Sequence, residues 1–165
     1  MPRLQKITTC LWFDRQAEEA AEHYVSIFPN SRILDITRYG EAGHETHGMP
    51  AGTVMTVSFE LDGHGFTALN GGPVFQFNEA VSFQVNCDTQ EEVDRYWKRL
   101  AEGGDPKAQQ CGWLKDRFGV SWQVIPTPMI EMMNDPDPER SSRVMSAMMK
   151  MKKLDLDELR RARGE

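Results

Sequence analysis

The sequence has few cysteines, and their spacing suggests neither a disulfide framework nor a structural zinc site. Cys10, Cys87 and Cys111 form no CxxC pair, and an odd number of thiols is typical of proteins in a reducing compartment. No apolar run approaches the roughly 18 residues of a membrane-spanning helix, and the N-terminus has no apolar signal segment. We therefore expect a cytoplasmic protein without disulfides and without a membrane anchor.

An excess of basic residues is missing as well. Lys and Arg number 19 against 25 Asp and Glu, which gives a formal net charge of -6 at pH 7. Nucleic acids and anionic membranes favour Lys- and Arg-rich surfaces, so neither is expected as a partner. Hydrophobic residues make up 39% of the 165-residue chain, which is enough for a folded globular core.

Several motifs of catalytic sites are absent from the chain. It has no glycine-rich phosphate loop and no nucleophile elbow. The run His44-Glu45-Thr46-His47 is one residue short of the HExxH zinc motif. It lies in a Gly- and Pro-rich segment, 40–52, that is predicted as a loop, so its imidazoles are not expected at the helical i, i+4 spacing of that motif.

An internal repeat is the most informative feature that is present. Residues 10–24 align with residues 83–97 at an offset of 73, and each copy reads as an apolar strand, a polar turn and an amphipathic helix. Strands in a hairpin pattern follow in both copies, at 54–61 and 66–70 and again at 112–115 and 120–125. The chain is therefore predicted to be α+β, with tandem βαβββ modules at about 4–72 and 80–126 and a cleft where they meet.

The helices of the two copies have candidate caps in the sequence. Asp14 is predicted to cap the first helix, and the run from Asp88 to Glu91 resembles a capping box for the second.

Residues 129–165 are predicted as a helical extension of a domain that spans 1–128. Pro138 suits the first turn of a helix that runs to about Lys152, and a second short helix is expected from Asp155 to Arg163. An apolar stripe follows the helical spacing at Val144, Met145, Met148, Met149 and Met151. Such a stripe favours packing against the domain or a second subunit, with a ligand-binding surface as the alternative.

Alternation along the strands predicts an open face, because successive side chains point to opposite sides of a sheet. Val81, Phe83 and Val85 are predicted to face the helix of the second copy, which leaves Ser82, Gln84 and Asn86 open. The offset of 73 then places three residues of the first copy on its open face: Thr9, Leu11 and Phe13. The other strands add Thr56, Ser58, Glu60, Ser121, Gln123 and Ile125.

The mixture of neutral polar and large apolar groups on this face is typical of a ligand pocket. An ordinary solvated face, or one buried in a dimer, is the alternative.

Short motifs along the chain resemble a known family. They are Trp12-Phe13-Asp14 before Ala17-Glu18-Glu19-Ala20, Phe28-Pro29-Asn30-Ser31, Ala68 to Gly72, and Cys111 to Asp116 with Phe118 to Gln123. Over residues 4–128 the chain resembles the PhnB-like branch of the vicinal oxygen chelate superfamily, which includes glyoxalase I, bleomycin-resistance proteins and extradiol dioxygenases. The resemblance implies two modules whose mixed sheets curl around a cavity, usually in a homodimer.

The resemblance also implies where a metal would be held. Metalloenzymes of the superfamily bind a divalent ion with strand residues of both modules, and the corresponding positions here are about Thr9, Ala68 (or Phe66), Ser82 and Gln123. Only Gln123 has a suitable donor, and amides are poor ligands for most divalent ions. A shift of one residue replaces these positions with Cys10, Thr67, Phe83 and Trp122, which do not supply the missing ligands. We therefore predict no bound metal and no cofactor.

Relatives of this type are often named 3-demethylubiquinone-9 3-methyltransferases. The chain has no glycine-rich turn of the kind that a Rossmann-like methyltransferase would need.

Three functions follow from these observations. The first is a small-molecule enzyme in which Glu60 acts as acid or base and a polar row binds the substrate: Thr9, Ser58, Asn70, Ser82, Gln84, Asn86 and Gln123. The second is a ligand-sequestering dimer in which the ligand stacks on Phe13 or Trp113. The third is a structural or regulatory dimer without a ligand.

Overall fold

The first unit of the protein is a four-stranded mixed sheet with a helix on one face. The structure is a computed structural model that describes residues 5–165. The elements of the first unit are β1 (Thr9–Phe13), α1 (Ala17–Ile27), β2 (Arg32–Arg38), α2 (His44–His47), β3 (Val54–Leu61) and β4 (His64–Asn70). The strand order is β1-β4-β3-β2, with β1 parallel to β4 and the other pairs antiparallel. This unit spans Met1–Phe77, and the second unit spans Asn78–Glu165.

Helix α1 packs on its sheet through small side chains and one aromatic ring. Ala17, Ala20 and Ala21 are fully buried, and their size lets the helix approach the strands closely. The ring of Tyr24 stacks on Phe59 at a centroid distance of 6.4 Å, and Phe59 stacks on the Phe66 ring at 5.3 Å. The side of the sheet that carries Phe59 and Phe66 is therefore the covered face.

The N-terminus of α1 is capped from another strand, and the predicted cap at Asp14 is wrong. The residue before the helix, Gln16, makes no side-chain cap bond. Instead the backbone N–H of Ala17 donates to Oδ1 of Asn70 at 2.9 Å, and Nδ2 of Asn70 donates to the carbonyl of Val54 at 3.0 Å. Asn70 thus ties α1, β3 and β4 together.

The segment predicted as a loop at 40–52 contains one helical turn, α2. Gly43 and Gly48 flank this turn with φ angles of 76° and 65°, a left-handed conformation that glycine adopts without steric cost. The turn places His44 and His47 on the protein surface, with ring centroids 5.8 Å apart.

The second unit repeats the plan with one strand fewer. Its elements are β5 (Phe83–Cys87), α3 (Gln90–Ala101), a 3₁₀ turn (Pro106–Ala108), β6 (Trp113–Lys115), β7 (Ser121–Pro126), α4 (Thr127–Met133), α5 (Pro138–Met148) and α6 (Leu156–Arg163). The sheet order is β5-β7-β6, with β5 parallel to β7 and β6 antiparallel to it. The counterpart of β2 is replaced by the 3₁₀ turn and a single bridge from Gln110 to Trp113.

The two mixed sheets confirm the predicted α+β class, and the C-terminal helices are present as expected. The capping box of α3 lies one residue later than predicted, because Thr89 accepts from the N–H of Glu92 and Glu92 accepts from the N–H of Asp88. Helix α4 was not predicted. The boundary between a domain at 1–128 and an extension at 129–165 stays a prediction.

The C-terminal helices form a hydrophobic cluster of their own within the second unit. Its buried members are Met129, Met132, Val144, Met151, Leu154, Leu156 and Leu159. Only part of the predicted apolar stripe therefore belongs to this cluster. Val144 and Met151 are buried, whereas Met145 and Met149 are 42% and 54% exposed.

Backbone hydrogen bonds attach the extension to the turn before β6. Cys111 and Gly112 occupy the centre of this turn with φ angles of 50° and 84°, which is the pattern of a type I′ turn. Their N–H groups donate to the carbonyls of Met151 and Lys152, each at 2.8 Å. None of the helices in residues 5–165 is long and apolar enough to cross a membrane.

Candidate functional site

The strand register shows which side chains of the first sheet face away from α1. In the parallel pair of β1 and β4, Leu11 lies beside Ala68 and Phe13 beside Asn70, and all four are buried. Thr9 lies beside Phe66, on the same covered face. The open face of β1 therefore carries Cys10 and Trp12.

The predicted open positions of Thr9, Leu11 and Phe13 are wrong for this reason. Asn70, which was predicted to bind the substrate, lies beside Phe13 on the covered face as well. Phe13 is 2% exposed and its ring contacts Phe77 edge to face at 5.2 Å. Both polar atoms of the Asn70 side chain are used in the bonds that hold α1. Neither residue is placed to contact a ligand on the open face.

The cause of this error is a difference in length between two connections. Strand β5 begins 74 residues after β1, whereas α3 begins 73 residues after α1. The turn between β1 and α1 is thus one residue longer than its counterpart. A shift of one residue exchanges the two faces of a strand, so an offset that fits the helices inverts β1.

The open face of the first sheet combines several hydroxyl groups with Cys10, Trp12 and Leu69. Ser58 lies beside Thr67, which lies beside Cys10, and the hydroxyls of Thr37 and Thr56 are 2.5 Å apart. Desolvation raises the pKa of the Cys10 thiol, which keeps the group protonated near neutral pH.

Glu60 lies on the same open face and is paired with an arginine. Its Oε2 accepts from Nε of Arg32 at 3.2 Å, and the two side chains are 30% and 70% exposed. The carboxylate is accessible, but it is already neutralised by this partner.

The open face of the second sheet agrees with the prediction at Gln84, Asn86, Gln123 and Ile125, whereas Ser121, which was predicted to join them, is buried. Phe83, Val85, Trp122 and Val124 lie on the helix side, although Val81, which was predicted to join them, is 68% exposed before β5 begins. Gln84 pairs with Gln123 and Asn86 with Ile125 on the other side, and Gln84 and Asn86 are exposed. Trp113 pairs with Gln123 across β6 and β7.

Two of the predicted polar residues contact each other directly. Nε2 of Gln123 donates to the hydroxyl of Ser82 at 2.9 Å, which fixes the orientation of the amide. Within residues 5–165 the other amide atom, Oε1 of Gln123, has no hydrogen-bond partner.

A cavity of about 560 Å³ lies between this open face and the C-terminal helices. The sheet contributes Trp113, Gln123 and Ile125 to its lining, and the extension contributes Met129, Met148, Met149 and Leu154. Gln110 and Cys111 also line it. Nε2 of Gln110 donates to the Met149 carbonyl at 2.8 Å, and the thiol of Cys111 lies 3.7 Å from Sδ of Met149.

The only charged side chain in the lining of this cavity, within the described chain, is Glu79. It forms an ion pair with Lys115, and this lysine lowers the pKa of the Glu79 carboxyl. The cavity therefore presents apolar walls, the amides of Gln110 and Gln123 and one neutralised charge.

No three His, Cys, Asp or Glu side chains of residues 5–165 are grouped so that they could hold a metal ion. His47 is engaged with the backbone, since its Nδ1 accepts from the N–H of Met49 at 2.9 Å and its Nε2 lies 3.1 Å from the carbonyl of Ala42. The absence of a bound metal in the protein stays a prediction.

Sequence reasoning missed two features of the sites. Cys10 and Thr67 of the open face came up only as a shifted alternative, because the offset was taken from the helices. The methionines of the extension were interpreted first as packing surface. Two signals in the sequence were available for a cavity wall beside β6. They are Met149 and the turn-forming glycine of the Cys111-Gly112 pair.

Comparisons with solved structures define the fold class. The fosfomycin resistance protein FosX from Mesorhizobium loti is 13% identical, with 82% of this chain and 99% of that chain covered and a TM-score of 0.54. Protein PA1353 from Pseudomonas aeruginosa is 22% identical over 73% of this chain and 96% of its own, with a TM-score of 0.55. Together with the mixed sheets, these likenesses show the fold of the vicinal oxygen chelate superfamily.

The family follows from closer matches. A family model described as 3-demethylubiquinone-9 3-methyltransferase matches residues 5–125. The PhnB protein from Bacillus cereus is 39% identical, with 74% of this chain and 99% of that chain covered and a TM-score of 0.62. The chain belongs to this PhnB-like family, which confirms the resemblance. No curated protein matches it significantly.

Proposed function

We propose that the protein binds a small molecule on the open face of its second sheet. The observation that carries the proposal is the cavity in which the Trp113 ring and the Gln123 amide meet the apolar side chains of the extension. Apolar walls with a few fixed polar groups are typical of small-molecule sites. Gln84 and Asn86 extend the polar row along β5 and can orient the ligand's outer part.

Methyl transfer, which the family description names, has less support from the fold. The described strands form two small mixed sheets, not the doubly wound parallel sheet that binds nucleotide cofactors at its glycine-rich turn. We therefore propose binding, with or without turnover, of a ligand other than a methyl donor.

Turnover is the second candidate, and Glu60 favours it. Its carboxylate lies on the open face of the first sheet, two residues from Ser58 along β3, and its side chain is only 30% exposed. Displacement of Arg32 by a substrate would free this carboxylate for proton transfer.

A metabolite screen by thermal shift tests the proposal, because a ligand that binds only the native state raises Tm by mass action. Mn²⁺, Ni²⁺, Zn²⁺, Fe²⁺ and S-adenosylmethionine belong in the same screen. We expect a metabolite to raise Tm and the shift to shrink in Gln84→Leu or Asn86→Leu. A stoichiometric metal would refute the predicted absence of one, and a shift unchanged in both variants would refute the location.

For a metabolite whose shift does not depend on Gln84 or Asn86, a comparison of wild type with Glu60→Gln separates turnover at the first sheet from sequestration. Loss of product formation with binding retained would support catalysis by Glu60. Binding without any product in the wild type would support a sequestering protein.

A further inference from the structure

The C-terminal extension provides one whole wall of the cavity. Met148, Met149 and Leu154 face the lining residues of β6 and β7 across it, and they lie beyond residue 125, where the match to the family model ends. The chemistry of this wall is therefore a property of this chain and not of the matched family region.

The wall is fixed in place by its attachment to the sheet. The N–H groups of Cys111 and Gly112 hold the carbonyls of Met151 and Lys152. The side chain of Gln90 bonds on both sides of the same segment, donating to the carbonyl of Leu154 at 3.0 Å and accepting from the N–H of Leu156 at 2.8 Å. The extension is thus positioned to contact a ligand without first having to fold over it.

The composition of the cavity points to a flat and neutral occupant. Aromatic rings pack favourably against the Trp113 ring and against the thioethers of methionine. Because Glu79 and Lys115 neutralise each other, the cavity offers no net charge that could bind a charged ligand. Burial of an unpaired charge on the ligand would be costly. A volume of about 560 Å³ is enough for a molecule of two fused rings.

The sheet contributes a directional group, Oε1 of Gln123, whose amide is oriented by its bond to Ser82. An amide oxygen accepts hydrogen bonds, so the complementary group on the ligand is a hydroxyl or an N–H.

We propose that the extension and the second sheet together bind a planar aromatic molecule that bears one hydroxyl or N–H group, with Met149 as a specificity-determining residue. This inference rests on the proposed small-molecule function and deepens it by naming the ligand class.

Cys111 offers a built-in reporter for this site, because its thiol lies beside Met149 at the cavity. We would label the full chain with N-ethylmaleimide, with and without 1-naphthol, and quantify modification of each cysteine by peptide mass spectrometry. We expect 1-naphthol to slow modification of Cys111 several-fold and to leave Cys10, an exposed thiol in the other unit, unchanged. Equal effects on both cysteines would overturn the inference.

Two methionines of the extension provide a matched pair of variants. Met149 lines the cavity, whereas Met145 lies on α5 outside the lining, and both are exposed enough to accept a charge without unfolding. Protection is measured within each variant as the ratio of the Cys111 modification rates with and without 1-naphthol. Met149→Glu should abolish this protection, and Met145→Glu should retain it. Retention of the protection in Met149→Glu would contradict the role of the extension.

Naphthalene, which lacks the hydroxyl group of 1-naphthol, provides a control for the hydrogen bond to Gln123. Wild type should bind 1-naphthol more tightly than naphthalene, by roughly tenfold for one hydrogen bond in an apolar site, and Gln123→Leu should bind the two alike. A preference that survives in Gln123→Leu would exclude Gln123 as the acceptor.

These outcomes can be separated from failure of the proposed function. A metabolite whose thermal shift depends on Gln84 but not on Met149, with no protection by 1-naphthol, would overturn the inference and leave the proposed function standing. The absence of a shift with every metabolite and of protection by 1-naphthol would overturn both.

Discussion

Asn70 does the work of a helix cap from a distant position in the sequence. The residues that precede α1 supply no side-chain acceptor for its first N–H groups, and such groups are costly to bury without a partner. Asn70, 3% exposed at the end of β4, accepts from Ala17 and donates to Val54. One amide therefore satisfies two buried backbone groups on two different elements.

Substitution Asn70→Ala should cost about 2–4 kcal/mol of unfolding free energy, because it leaves the N–H of Ala17 and the carbonyl of Val54 without partners. Urea denaturation followed by circular dichroism measures this loss. Asn86→Ala is the matched control, since Asn86 is exposed and its removal should change stability by less than about 0.5 kcal/mol. A loss in Asn70→Ala as small as the one expected for Asn86→Ala would show that the Asn70 bonds contribute nothing measurable.

Cys87 should make stability depend on pH in the alkaline range. Burial raises the pKa of its thiol from 9.0 to about 12, so the unfolded state gives up its proton first as the pH rises. The contribution is fully present below pH 9 and is lost between pH 9 and about 12, with a slope of at most about 1.4 kcal/mol per pH unit.

Unfolding free energies of wild type and Cys87→Ala, measured from pH 8 to about 11, isolate this effect. The difference between the two proteins should diminish as the pH rises. A constant difference over the whole range would mean that the thiol does not titrate differently in the two states. The other alkaline groups, Cys10 included, are common to both proteins and cancel in the comparison.

At the scale of elements, the repeat predicted the helices better than the strands. Helix positions follow from an apolar face that recurs every three to four residues, and the offset of 73 fits the helices directly because α3 begins 73 residues after α1. A strand has a period of two, so the extra residue between Phe13 and Ala17 reversed Thr9, Leu11 and Phe13. The face of β5 was predicted correctly because Gln84 and Asn86 were assigned from their own alternation.

Loop conformations and distant contacts were beyond the sequence pattern. The helical turn at His44–His47 depends on left-handed Gly43 and Gly48, which a Gly-rich segment permits but does not specify. The bond of Asn70 to Ala17 joins residues 53 positions apart, and no local spacing predicts it.

The extension should be an integral part of the second unit. Leu154 is fully buried in the cluster of the C-terminal helices, and a Cβ on Gly112 would lie 2.9 Å from its Cδ1. Leu154→Ala should therefore lower the unfolding free energy by about 2–4 kcal/mol. Met145→Ala, at a 42% exposed position, should change it by less than about 0.5 kcal/mol.

Urea denaturation monitored by far-UV circular dichroism distinguishes these expectations. If Leu154→Ala were as stable as Met145→Ala, the extension would be only loosely associated with the second unit. A large loss confined to Leu154→Ala would support its role as core.

At the scale of the whole molecule, we expect a homodimer. The PhnB-like resemblance implies one, and adjacent apolar side chains are exposed at Val74 and Phe75, by 71% and 62%. Contiguous exposed apolar area is typical of interaction surfaces.

Light scattering coupled to size-exclusion chromatography should give about twice the chain mass of 18.8 kDa. Val74→Lys should lower the dimer fraction at micromolar concentrations because it places a charge in the apolar surface. Met145→Lys, in the other unit, should leave that fraction unchanged. A wild-type protein that elutes as a monomer at every concentration would contradict the prediction.

The attachment of the extension to the Cys111-Gly112 turn has a consequence for evolution. The N–H groups of the turn bind the carbonyls of Met151 and Lys152, and every residue has a carbonyl, so this attachment tolerates changes of side chain at those positions. Mutations at Met148 and Met149 can accumulate while the segment stays in place. Homologues with such a segment can therefore diverge in ligand preference through neutral drift of the wall, without a new fold and without changes in the duplicated sheets.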